Sequence, residues 1–257
     1  LPMTQPPEEL TDNQLLRYSR HILLPQVDIV GQQRIVNSRV LVLGAGGLGS
    51  PILLYLAAAG VGELLIADGD RVDETNLQRQ IVHRTQSVGE KKTSSARATL
   101  AELNPDVQVT EIDSDLDEAS MLAWARGCDA VVIGTDSFSS RYAANRACMA
   151  LGIPLISGAA IGLSGQLSVF DFRRDDSPCY SCLFPDGQDD DVTCATAGVL
   201  GPVVGIVGSV QAVETLKILA GFGEPLVGTL LTLDASDLSW QRFQFKRQPD
   251  CPVCQQR

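Results

Sequence analysis

Basic charge is scarce in this 257-residue chain. Twenty Lys and Arg stand against 31 Asp and Glu, a net charge of −11, and the basic residues form no run. Binding nucleic acid rests on neutralising phosphates with Lys and Arg, so the chain is a poor candidate for it, and an anionic membrane surface would repel it. Long apolar runs are missing too. None reaches the roughly 18 residues of a bilayer crossing without a charge or a glycine. The opening residues 1–9 are Pro-rich and polar, with no apolar core of signal length. A cytoplasmic protein without nucleic-acid or membrane partners is the expectation. Only two histidines are present, His21 and His83. Neither sits in a Ser/His/Asp or Cys/His arrangement, so no catalytic role is read for them. The cysteines number seven, an odd count in a chain of this size with no secretion signal, which argues against a disulfide framework. No internal repeat or low-complexity segment is visible.

What is present is alternation. After a leader at 1–10, expected to be disordered, Thr11 and Gln14 match a capping box, and a helix follows, ending before Pro25. A second short helix fits 31–37. Apolar, β-branched runs at 39–43, 64–67, 107–111, 130–133 and 154–157 read as strands. Those buried on both faces belong in a parallel sheet. Helices fit 48–59, 91–103, 118–126 and 141–151 between them. Such alternation predicts a Rossmann-like α/β fold with right-handed crossovers. Beyond about residue 160 the pattern changes. A half-buried strand fits 165–172, a loop 177–202, an apolar helix 205–219, and a closing antiparallel pair 229–233 and 240–245.

Gly44-Ala45-Gly46-Gly47-Leu48-Gly49 lies between the first strand and its helix. Glycines there permit a tight turn and let backbone approach phosphate, and the helix N-terminus offers free N–H groups. Asp68, 19 residues past Gly49, ends the next strand, where an acid can accept from ribose hydroxyls. The alternative is a glycine turn that serves packing alone. On these features NAD would be the default ligand. The residues that follow, Asp70, Thr75, Asn76, Leu77, Gln78 and Arg79, with Lys92 on the next helix, instead suit Mg²⁺ and a triphosphate. Taken singly, Arg79 and Lys92 also fit solvated surface charges. Asp136 follows the 130–133 strand, at the carboxyl edge where ligands bind in open sheets.

Two Cys-x-x-Cys pairs, Cys179/Cys182 and Cys251/Cys254, have the spacing of a closed, structural Cys₄ zinc site. Independent redox pairs are the alternative. Cys128 and Cys148 lie beside apolar residues and read as core.

Several stretches together resemble the HesA/MoeB/ThiF family of ubiquitin-activating-type adenylyltransferases. They are residues 16–20, 44–49, 76–80, Gly134-Thr135-Asp136, 179–182, Thr196-Ala197-Gly198-Val199 and 251–254, in order across about 10–255. The resemblance implies one adenylation domain over 11–257. Its nucleotide-binding half would be about 11–160, and its carrier- and zinc-binding half about 161–257. It implies that the C-terminal carboxylate of a small ubiquitin-fold sulfur carrier ending in Gly-Gly attacks the α-phosphate of ATP. By similarity, Gly44, Gly46, Gly47 and Gly49 cradle nucleotide, Asp68 binds ribose, and Asp70 with residues 75–79 and Lys92 surround the phosphates. Asp136, beside Ser137, would hold Mg²⁺, and Arg20 would reach the γ-phosphate from the second subunit of a homodimer. Cys194, after three consecutive acids, would be the candidate for a covalent sulfur link. Ser137 stands where close relatives often have Asn, and 160–166 lacks the charges common in MoeB-type chains. The likeness leans to the molybdopterin-pathway enzymes, with the thiazole-pathway enzymes as the alternative. An NAD-dependent oxidoreductase and a nucleotide-gated binding module are the readings from other classes.

Overall fold

The computed structural model describes residues 9–185 and 198–255. One eight-stranded sheet runs through them, in the order β3-β2-β1-β4-β5-β6-β7-β8. The strands are β1 (Arg39–Leu43), β2 (Glu63–Ala67), β3 (Gln108–Ile112), β4 (Ala130–Ile133), β5 (Pro154–Ile161), β6 (Ser164–Asp171), β7 (Thr229–Asp234) and β8 (Ser239–Gln244). β1 to β5 pair in parallel, and β5 to β8 antiparallel. The switch falls at residue 161, where the sequence pattern changes.

The helices are α1 (Asp12–Arg17), α2 (Ser19–Ile22), α3 (Asp28–Val36), α4 (Gly49–Ala59), α5 (Lys92–Leu103), α6 (Glu118–Ala125), α7 (Phe138–Leu151), α8 (Tyr180–Leu183) and α9 (Gly201–Ala220). The Thr11 capping box forms as expected, its hydroxyl accepting from Gln14 N–H. Tyr18 breaks the first expected helix into α1 and α2. Two expectations need correcting. β5 continues to Ile161 because Gly158 and two alanines pair fully with β6, although their side chains carry little strand preference. The 177–202 segment is not all loop, since α8 forms inside it. Residues 186–197, with Cys194, Thr196 and Ala197, lie outside the described residues, as does the leader through residue 8.

Alternate residues of the central strands point to opposite faces, and each face builds its own core. Val40, Val42, Leu64, Ile66 and Val132 pack with α3, α4, α5 and α9. Leu41, Leu43, Leu65, Val131 and Ile133 pack with α6, α7 and α8. By length and composition α9 is apolar enough to cross a membrane, but most of it is buried inside this fold. Its backbone comes so close to α4 that a Cβ on Gly208 would sit 2.5 Å from Pro51 Cγ. Its two charges are paired: Glu214 bonds Lys217 Nζ at 2.6 Å and accepts from Leu226 N–H at 2.8 Å.

Candidate functional site: a cleft at the carboxyl edge of the parallel strands

Leu43 pairs in register with Ala67 and with Ile133. The three segments that follow, the glycine turn, Asp68–Asp70 and Gly134–Asp136, therefore emerge side by side. They line an open cleft of about 910 Å³, which also reaches β5 to β8 and α8.

The glycines of the turn have different jobs. Gly44 has φ +90°, and a Cβ there would press on the Gly134 carbonyl at 3.0 Å. A Cβ on Gly49 would lie 2.0 Å from the Gly44 oxygen. Both are required by packing. Gly46 is not: its φ is outside the left-handed range, and the nearest atom to an added Cβ is 3.6 Å away. It lines the cleft, as does Gly47, where an added Cβ would crowd Val204 Cγ2 at 3.2 Å. Among the described residues, no protein group accepts from the N–H of Gly46, Gly47 or Leu48. Three free donors at the start of α4 form an anion-binding surface.

Lys92, the first residue of α5, is only 6% exposed. The surface-charge reading of Lys92 is therefore wrong: Nζ is held 2.7 Å from Asp70 Oδ2 and 4.0 Å from Asp68 Oδ1. Asp68 is also buried, and its oxygens accept from Ala45 N–H at 2.8 Å and Asp70 N–H at 2.9 Å. Burial raises its pKa, with Lys92 and the two N–H bonds pulling the other way.

Arg79 lines the cleft and is braced by its own segment, donating to the Thr75 carbonyl and to Asn76 Oδ1, each at 3.2 Å. Thr75 is itself held by the Asp73 side chain, the cap of a 3₁₀ turn. Thr75, Asn76, Leu77 and Gln78 are not part of the cleft wall. Asp136 and Ser137 are, and among the described residues no protein group pairs with Asp136. Ser137 caps α7 by accepting from Ser140 N–H at 3.2 Å. Ser and Asn are equally good caps, so this cap suits either residue. Arg20 is exposed and absent from the cleft. Tyr18, two residues earlier, lies against Gly60, at the far end of α4 from the glycine turn.

Three more residues at this site carry no mark in the sequence. Arg141 lines the cleft from α7 while 4% exposed, donating to the Thr135 carbonyl at 2.8 Å. Gln211 of α9 donates to the Ile133 carbonyl at 2.8 Å, just before Gly134. His83 is buried, with Nε2 2.9 Å from the Ala45 carbonyl oxygen and Nδ1 2.9 Å from Ser95 Oγ. Burial pushes its pKa down to about 4, so the ring is neutral at ordinary pH. The contact spans 38 residues of sequence, and no local pattern announces it.

The four cysteines converge as expected. Cys179 Sγ lies 3.7 Å from Cys182 Sγ and 3.6 Å from Cys251 Sγ, and Cys182 Sγ lies 3.4 Å from Cys254 Sγ. All four atoms fall within 4.8 Å of one another. A disulfide needs about 2.05 Å. Four sulfurs at about 2.3 Å around a tetrahedral ion are separated by about 3.8 Å. The cluster thus has the donors and spacing for a metal ion. It also shapes the cleft, because Cys179 is the cap residue of α8 and Cys182 lies within it, and Tyr180 of α8 lines the wall with Phe184. Tyr180 is fixed by an edge contact to Tyr142, ring centroids 5.3 Å apart, and by its N–H on Asn145 Oδ1 at 2.8 Å.

Comparison with known proteins agrees with this geometry. The ThiF family model matches residues 18–253. The SAMP-activating enzyme E1 of Haloferax volcanii is 45% identical over 95% of this chain and 90% of its own. The molybdopterin-synthase adenylyltransferase of Escherichia coli is 42% identical, covering 96% and 99%. The sulfur carrier protein ThiS adenylyltransferase of the same organism is also 42% identical, covering 95% and 97%. Among solved structures, Escherichia coli MccB with AMPCPP and MccA superposes with a TM-score of 0.82 at 25% identity, over 96% of this chain and 76% of that one. The chain belongs to the ThiF family.

Proposed function

We propose, with ThiF-family membership as the premise, that this chain is an adenylyltransferase acting on the C-terminal glycine carboxylate of a small ubiquitin-fold sulfur carrier. One observation carries the reading: three free N–H groups, two held cations and an unpaired carboxylate converge on one cleft.

In this reading the triphosphate lies along the start of α4. Gly46, Gly47 and Leu48 N–H donate to phosphate oxygens, and Asp68 accepts from the ribose. Lys92 and Arg79 neutralise the phosphate chain. A carrier carboxylate oxygen attacks the α-phosphorus; the bond to the β-phosphate breaks and pyrophosphate leaves with the electron pair. The chain supplies no nucleophile for this step, so positioning and charge neutralisation do the work. Asp136 would hold Mg²⁺, which when bound screens the phosphates from the incoming carboxylate. Arg20, which is exposed and does not line its own cleft, would serve the cleft of a second copy in a homodimer. The cysteine cluster would hold Zn²⁺ as a structural ion, with no open position for chemistry.

The carrier of the molybdopterin pathway is the first candidate. A thiazole-pathway carrier is the second, favoured by the equal identity to the two Escherichia coli relatives. Pyrophosphate exchange into ATP, measured with each purified carrier, tests both. Exchange that depends on a Gly-Gly-ended carrier is expected, with the acyl-adenylate seen by mass spectrometry. Background exchange with both carriers would overturn the reading.

A further inference from the structure

His83 has no place in the chemistry above, yet it touches the centre of the glycine turn. Ala45 is gripped on both sides. Its N–H donates to Asp68 Oδ2, and its carbonyl oxygen lies 2.9 Å from His83 Nε2. A carbonyl oxygen only accepts, so Nε2 carries the ring proton.

The Ala45 carbonyl and the Gly46 N–H belong to one peptide. That unit is flat and trans, so its C=O and N–H point in opposite directions. Drawing the carbonyl inward to His83 therefore turns the Gly46 N–H outward, toward the cleft that Gly46 lines. Glycine is the residue least able to hold that orientation unaided. The neighbouring protein does not hold it either, since among the described residues nothing accepts from the Gly46 N–H and the nearest atoms to a Cβ there are Gln80's at 3.6 Å. The other ring nitrogen faces Ser95 Oγ, one helical turn beyond Lys92 on α5. One buried ring thus joins the backbone donors of the turn to the helix that carries the lysine.

We propose that His83 is a positioning residue that locks the Ala45–Gly46 peptide with its N–H toward the cleft, and so sets the affinity for a nucleotide's phosphate chain. The inference rests on the nucleotide reading of the cleft.

The test compares ATP affinity by calorimetry in the parent chain and three variants. His83→Gln can return an amide N–H to the Nε2 position. His83→Asn reaches only the Nδ1 position, and His83→Phe fills the space with no donor. ATP should bind about tenfold more weakly to the Asn and Phe variants, the effect of one charge-assisted hydrogen bond. The Gln variant should stay within about threefold of the parent. Thermal midpoints are read in parallel, because a merely structural role would lower them without separating Gln from Asn. If the Asn and Phe variants do not fold, Ser95→Ala keeps the ring and frees its second anchor, with an expected loss of about threefold. Equal ATP affinity in the parent and the folded donor-free variants would overturn the inference alone, as would a Gln variant as weak as Asn. A parent chain that binds no ATP would overturn the nucleotide reading and this inference with it.

Discussion

The glycine turn and the four-cysteine cluster are both tight turns packed against the same sheet, and they are held in opposite ways. In the turn, side chains from elsewhere grip the backbone of Ala45 from below and leave the next three N–H groups free. In the cluster, the side chains themselves converge, and the geometry closes on its own centre. The first arrangement presents donors to a ligand. The second turns its four sulfurs toward one another. The difference separates two kinds of glycine-poor and glycine-rich signal: a turn is functional where its backbone is unsatisfied, and architectural where its groups are all spent.

The sharpest way to break that contrast is at the open end. Lys92→Met removes the cation held between Asp68 and Asp70 and should lower carrier-dependent pyrophosphate exchange by about 10²–10³-fold, the scale for losing one charge-stabilising group. Exchange within a few-fold of the parent would mean that the open turn does not face the reacting phosphates. The closed end comes next. Cys251→Ser, or removal of metal by a strong chelator, should lower the thermal midpoint by about 5–10 °C, equivalent to about 2–3 kcal/mol in a chain of this size. Elemental analysis should show one metal ion per parent chain and a loss in the variant. An unchanged midpoint and metal content would leave the cluster as four packed thiols. Gly46→Ala is smaller and more discriminating. The fold has room for the methyl, so the midpoint should move by less than about 2 °C while ATP affinity falls about tenfold. Full ATP affinity would return the glycine to a packing role. Smallest is Ser137, where Asn should be nearly neutral and Ala should cost about 1 kcal/mol through the lost α7 cap, read by chemical denaturation.

The parallel half was legible because its signals are local. The strands at 39–43 and 130–133 are short apolar runs with β-branched residues, and they form with those bounds. The glycine turn, Asp68 and the cysteine pairs could be placed because spacing along the chain fixes what they can reach. The misses have the opposite character. α8 is four residues long and depends on the cysteines around it, too short for any periodicity to show. Gly158 joins the strand by pairing with Leu167 of β6, and it must be glycine because Gln211 fills the space of a side chain: a Cβ there would lie 2.4 Å from Gln211 Oε1. Arg141, Gln211 and His83 act on carbonyls 6, 78 and 38 residues away. At the two longer separations, the fold rather than the sequence neighbourhood brings the partners together.

The position of α9 in the chain has a consequence for biosynthesis. Its side chains Val203, Val204, Val207 and Ala212 share one core with Leu48, Ile52 and Leu56 of α4, so the helix that follows the glycine turn is roofed by residues made about 150 positions later. A nascent chain that has emerged only through β6 has every strand of the parallel sheet, and α3, α4 and α5 on that face, but not α9. Until synthesis passes residue 212, the flank of α4 that α9 covers stays exposed, an apolar helix face of the kind a chaperone binds.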